Sequence, residues 1–203
     1  MIHHLALRPL LMAIAALSLL TGSAAAQQGA PTAGGQTLRL QAVIAQGAKP
    51  LTEPVSYKIY RLEPVVNSGL VLEFFGATTE MVLPSGRYRL ITEFGHTKVF
   101  EDFELNGEPR DHVVNLNAGR INMRAIPQPG GAVVKKDLRW EIHSFGKDAS
   151  GKRVLLAQSR HSLSQFVLPV GFYVATAHVA NRQVRHTVEV NPGVTYDYTV
   201  VLN

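Results

Sequence analysis

Leu83-Pro84-Ser85-Gly86-Arg87-Tyr88 and Leu168-Pro169-Val170-Gly171-Phe172-Tyr173 are two copies of one pattern, 85 positions apart. In each, proline presets one turn dihedral and glycine permits a positive one, so the pattern reads as a tight turn between two strands. The likeness extends outward from this turn. Upstream, Leu38, Leu40, Ala42, Val55, Tyr57 and Ile59 meet Ile121, Met123, Ala125, Leu138, Trp140 and Ile142 at a shift of 83. Downstream, Leu116-Asn117 meets Leu202-Asn203 at a shift of 86. A repeat this long marks two copies of one structural unit, expected over 36–117 and 118–203 with almost no linker between them.

Apolar residues alternate with polar ones at a period of two, which is the period of strand faces. In the first unit strands are expected near 38–44, 55–62, 69–75, 78–83, 87–94, 97–105 and 111–116. In the second they are expected near 121–127, 137–144, 153–158, 163–168, 172–180, 183–190 and 195–202. Short strands punctuated by Gly, Pro and Asn, with no helical periodicity, predict an all-β chain of two tandem seven-stranded antiparallel β-sandwich modules.

What precedes the repeat is of a different kind. Arg8, the apolar run Leu10–Leu20 and Ala24-Ala25-Ala26 before Gln27 have the three-part layout of a cleaved secretory leader over 1–26. Residues 27–35 then read as a flexible tail. No later run is apolar and long enough to span a membrane by helix, so the expectation is an exported protein, periplasmic or extracellular.

Composition narrows the chemistry. The 203 residues are 46% hydrophobic and 17% charged, with no cysteine. Disulfide scaffolds, thiolate metal sites and cysteine nucleophiles are thereby excluded. The formal charge of +5 is modest for a nucleic-acid binder, and no nucleic-acid partner is expected.

The strand-Leu-Pro-x-Gly-x-Tyr-strand pattern resembles that of bacterial Ig-like and prealbumin-like modules, including the carboxypeptidase-regulatory-like group. Leu116-Asn117-Ala118-Gly119, Trp140-Glu141 and Phe166-Val167-Leu168-Pro169 are similar to segments of the tandem modules that trail von Willebrand factor A domains in some secreted bacterial proteins. The resemblance covers 38–203 and implies fold far more than function. The chain has no Asp-x-Ser-x-Ser segment, so a metal-dependent adhesion site is not carried over. The Lys-Asn isopeptide bond of pilin-like surface modules is not expected either. Asn117 and Asn203 close the last strands, but the first strands offer Arg39 and Arg124 where a lysine is needed.

Candidate catalytic groups are scattered. There is no Gly-x-Ser-x-Gly elbow and no His-Glu-x-x-His, and no phosphate-cradling Gly-x-x-x-x-Gly-Lys loop or cofactor site is expected. His178 and His186 lie on adjacent strands but on opposite faces by alternation, which argues against a shared metal. Lys147–Lys152 reads as a hairpin turn rather than a calcium loop. Trp140 and its counterpart Tyr57 sit between inward aliphatics and read as core.

Two surface features remain. Lysine and arginine number 8 against 10 acids over 36–117, and 11 against 5 over 118–203, so positive charge is segregated into the second module. Lys135, Lys136, Lys152 and Arg153 in or beside loops, with Arg124 and Arg139 pointing outward from neighbouring strands if those two pair, form a candidate face for an anionic polymer. Leu70–Phe75 is apolar on both strand faces, which makes Val71 and Phe75 candidates for contact with an envelope protein or the other module. The function expected is that of a non-catalytic structural or binding protein of the cell envelope. The alternatives are an accessory carbohydrate- or anionic-polymer-binding subunit of an envelope enzyme and, third, an unrecognised hydrolase.

Overall fold

The computed structural model describes residues 35–63 and 69–202. The expected leader, the tail before Gly35 and Asn203 lie outside them. The first module contains β1 (Gly35–Val43), β2 (Val55–Arg61), β3 (Gly69–Gly76), β4 (Thr78–Pro84), β5 (Gly86–Phe94), β6 (Thr97–Leu105) and β7 (Arg110–Asn115). The second contains β8 (Ala118–Ile126), β9 (Leu138–Ser144), β10 (Leu155–Ser159), β11 (Leu163–Pro169), β12 (Gly171–Val179), β13 (Arg182–Val190) and β14 (Thr195–Val201). Both are β-sandwiches of a three-stranded and a four-stranded sheet. The orders are β4-β1-β7 and β3-β2-β5-β6, then β11-β8-β14 and β10-β9-β12-β13. The second set repeats the first strand for strand.

The expectation of wholly antiparallel sheets is corrected in one respect: β7 runs parallel to β1, and β14 parallel to β8. Parallel neighbours need a long crossover, and here the five strands between first and last supply it. Alternation reports which side chains face inward and is blind to strand direction, so this pairing had no local signal.

Inward residues follow the expected alternation. Leu38, Leu40, Tyr57, Ile59, Tyr88 and Leu90 centre the first core, and Ile121, Met123, Trp140, Ile142, Tyr173 and Ala175 the second. The repeated turn explains itself in both copies. Gly86 and Gly171 take φ of +150° and +149°, values that L side chains rarely adopt. Two residues on, the Tyr88 hydroxyl donates to the Pro84 carbonyl at 2.7 Å, and Tyr173 does the same to Pro169 at 2.7 Å. The motif thus closes a turn and satisfies a buried phenol at once.

The modules interlock. Val167 belongs to β11 of the second module, yet its side chain is buried in the core of the first. The two-residue turn Gly95-His96 between β5 and β6 docks on it, with the His96 N–H donating to the Val167 carbonyl at 2.9 Å. Gly95, at φ +59°, approaches so closely that a Cβ there would lie 2.6 Å from the Val167 Cβ. Beside this contact, Arg120 pairs with Glu53 at 2.6 Å and lies over the Phe94 ring, 5.4 Å from its centroid.

Candidate functional site

Positive charge gathers on the outer face of the sheet β10-β9-β12-β13. Inward burial of Trp140, Ile142, Tyr173 and Ala175 obliges their neighbours Glu141, His143, Val174 and Thr176 to face outward. Register then sets Thr176 between Glu141 on β9 and Arg185 on β13, and Val174 beside His143. The hairpin loop between β9 and β10 adds Lys147, Lys152 and Arg153. Together these groups line a concavity of about 340 Å³. Its floor is Thr176, 2% exposed beneath the longer side chains.

One acid stands among the cations. Glu141 accepts from His178 Nε2 at 2.9 Å and pairs with Arg139 at 3.1 Å, with His143 Nε2 at 3.8 Å. By contrast Lys147, Lys152, Arg153 and Arg185 form no ion pair among the described residues. The first module treats its outward cations differently. Lys58 meets Glu73, Arg89 meets Asp102, Lys98 meets Glu93 and Arg39 meets Glu80, at 3.2, 2.7, 2.6 and 2.6 Å. These four cations of the first module are cancelled locally, whereas the four at the concavity are left open.

The loop itself is held from within. Asp148 Oδ1 accepts from the Ser150 hydroxyl at 2.7 Å, the Ser150 N–H at 2.8 Å and the Lys152 N–H at 3.0 Å. These donors, the Ser150 hydroxyl first, hold the Asp148 carboxyl below its ordinary range. The expected absence of a Gly-x-x-x-x-Gly-Lys pattern is corrected: Gly146–Lys152 has that spacing. It is nevertheless no phosphate cradle. It joins two antiparallel strands, Arg153 follows the lysine, and Asp148 already occupies the N–H groups of Ser150 and Lys152. The hairpin-turn expectation agrees with this geometry.

The other residues singled out from sequence disperse. Arg124 and Arg139 would share a face if their strands paired, but β8 and β9 belong to different sheets of the sandwich. Arg124 donates to Thr199 Oγ1 at 2.7 Å on the three-stranded face, away from the concavity. Lys135 and Lys136 precede β9, whereas Lys152 and Arg153 follow its other end. A seven-residue strand separates the two groups by about 20 Å. Only Lys152 and Arg153 of the expected basic face line the concavity. His143, Lys147 and Arg185 were missed, since strand pairing brings His143 and Arg185 together across 42 positions and no local spacing marks it.

Val71 and Phe75 are 44% and 71% exposed on the edge strand β3. A bulge opposite Ile59/Tyr60 leaves Val71 out of register, while Leu72 and Phe74 turn to the core. Trp140 and Tyr57 are buried as expected. His178 faces outward while His186 shares the side of buried Val188, and no metal-binding cluster occurs among the described residues. Asn117 sits at φ +46° and ends its strand as a turn residue.

No family model matches this chain, and no curated protein does. Solved structures give distant likenesses. The Bacillus anthracis TIE protein is 16% identical, with 84% of this chain and 34% of that one covered at a TM-score of 0.33. A streptococcal ancillary pilin is 13% identical, with 84% and 64% covered at 0.39. The shaft pilin SpaA of Lactobacillus rhamnosus GG is 11% identical, with 83% and 98% covered at 0.35. The chain spans about a third of the length of the first and just under two thirds of the second. The fold assignment rests on the strand order given above.

Proposed function

We propose that this chain is an exported, non-catalytic binding protein of the cell envelope, whose second module holds an anionic polymer while the first serves as its rigid neighbour. The observation that carries the reading is the convergence of Lys147, Lys152, Arg153 and Arg185 on one concavity without ion-pair partners among the described residues, while Arg39, Lys58, Arg87, Arg89 and Lys98 of the first module are each paired with an acid. Unpaired cations on a low-dielectric wall concentrate anions. The interlock at Val167 favours a second, compatible role as a structural spacer, since it makes two modules move as one.

Extraction of isolated envelopes tests the reading. The wild-type protein should be retained at low ionic strength and released as salt rises, because the Debye length falls from about 10 Å at 0.1 M to about 3 Å at 1 M. A variant with all four cations changed to glutamine should be recovered in the soluble fraction throughout. Retention of both proteins alike, or retention indifferent to salt, would contradict the proposal.

A further inference from the structure

The concavity is not merely positive. Phe145 and Phe172 are exposed by 50% and 53%, and their ring centroids lie 5.9 Å apart. They meet at one end of the concavity, next to its lining residues Arg153 and Val174. Phe172 precedes Val174 by two positions on the same face of β12, and the Arg153 guanidinium lies 5.6 Å from the Phe145 centroid. An apolar shelf therefore runs into the cationic wall. At its far end stands Glu141, whose Oε1 meets Arg139 and whose Oε2 meets His178, with His143 farther off at 3.8 Å, so that Oε1 keeps acceptor capacity.

We propose, resting on the anionic-polymer reading above, that this concavity is a subsite for an acidic sugar residue of a polysaccharide. The ring lies with its apolar face on Phe172 and Val174, the acid group sits between Lys152 and Arg185, and a ring hydroxyl donates to Glu141. Three features select this ligand over a simple polyanion. A polyphosphate would leave the aromatic shelf in water, where it gains nothing from burial. It would also be repelled by Glu141, whereas a carboxylate is the natural acceptor for a hydroxyl. Thirdly, the backbone donors that would cradle a phosphate are taken by Asp148. A volume of about 340 Å³ falls within the roughly 300–1,000 Å³ of small-ligand sites, which pair an apolar wall with a few placed polar groups.

The experiment titrates the full chain with polygalacturonate, with polyphosphate and with dextran at low salt, following binding by calorimetry. Polygalacturonate should bind at least tenfold more tightly than polyphosphate at equal charge, and dextran should not bind. Phe172→Ala, at a half-exposed position that the fold does not need, should weaken polygalacturonate about tenfold and leave polyphosphate unchanged. Lys152→Gln with Arg185→Gln should weaken both. Equal binding of the two polyanions, indifferent to Phe172→Ala, would overturn the sugar subsite and leave the anionic-polymer reading standing. Binding of neither polyanion would remove both.

Discussion

Gly95→Ala adds one methyl group at the point where the two modules meet. The new Cβ would stand 2.6 Å from the Val167 Cβ and 3.2 Å from the Val167 carbonyl oxygen, so the turn and β11 must separate. Alanine at φ +59° also costs about 1–2 kcal/mol in the left-handed region. Withdrawing Val167 from the first core forfeits about 1.5–3 kcal/mol of burial. The two effects together destabilise by about 2.5–5 kcal/mol, and the loss falls on the first module, whose core is left open. Trp140 is the only tryptophan and lies in the second core, so its fluorescence reports that module alone, while circular dichroism reports both. In urea the wild type should give coincident curves by the two probes, the mark of one cooperative unit. The variant should show circular dichroism falling before fluorescence. Coincident curves for Gly95→Ala, with a loss below about 1 kcal/mol, would refute the interlock.

Trp140→Ala should cost about 3–5 kcal/mol as a large truncation in a core, whereas Trp140→Phe should cost at least 2 kcal/mol less. The indole N–H is buried without a partner, and phenylalanine removes that unsatisfied donor. Urea midpoints of the two variants decide it, and equal losses would contradict the packing described. Burial pushes the Tyr57 hydroxyl up to about 12, and Tyr88 and Tyr173 upward as well. A phenol whose folded pKa lies above the free value near 10 stabilises the fold below pH 10, and that contribution is lost as pH climbs toward 12. For Tyr57 it is on the order of 3 kcal/mol. Absorbance at 295 nm should therefore rise in step with loss of structure. Ionisation of every tyrosine near pH 10 in a chain that stays folded would contradict it. Mass spectrometry of the native protein should find Gln27 as its first residue, and recovery of intact Met1 from the envelope would overturn the expected leader.

Strand positions were legible because alternation is local. Each of the fourteen expected strands overlaps an observed one, and the Pro-x-Gly-x-Tyr turns formed as their chemistry requires. Which sheet a strand joins was not legible, and the separation of Arg124 from Arg139 shows the consequence. The module interlock did leave a trace. Phe166-Val167-Leu168 is an uninterrupted apolar run within an alternating strand, and its middle residue is the one that faces the other module. In Leu70–Phe75, which Glu73 interrupts, a bulge at Val71 shifts the phase and leaves Leu70 exposed. The concavity was half legible. Lys152 and Arg153 stood out as loop charges, but Arg185 is one of two cations in a mixed strand until β13 is laid beside β12. Charge counts distinguish the two modules but cannot point to a face.

Neutralising charge in one module against the other tests the central claim most directly. Binding of the full chain to an acidic polysaccharide should be measured across a salt series for three proteins. These are the wild type, a variant with Lys147, Lys152, Arg153 and Arg185 changed to glutamine, and a control with Lys58, Arg89 and Lys98 changed to glutamine. Because Val167 completes the first core, intact chains are the proper material rather than isolated modules. The account predicts that the second protein loses at least tenfold in affinity and most of its salt dependence, while the control binds as the wild type does. Equal loss in both variants, or none in either, would show that the open cations of the second module do not hold the ligand.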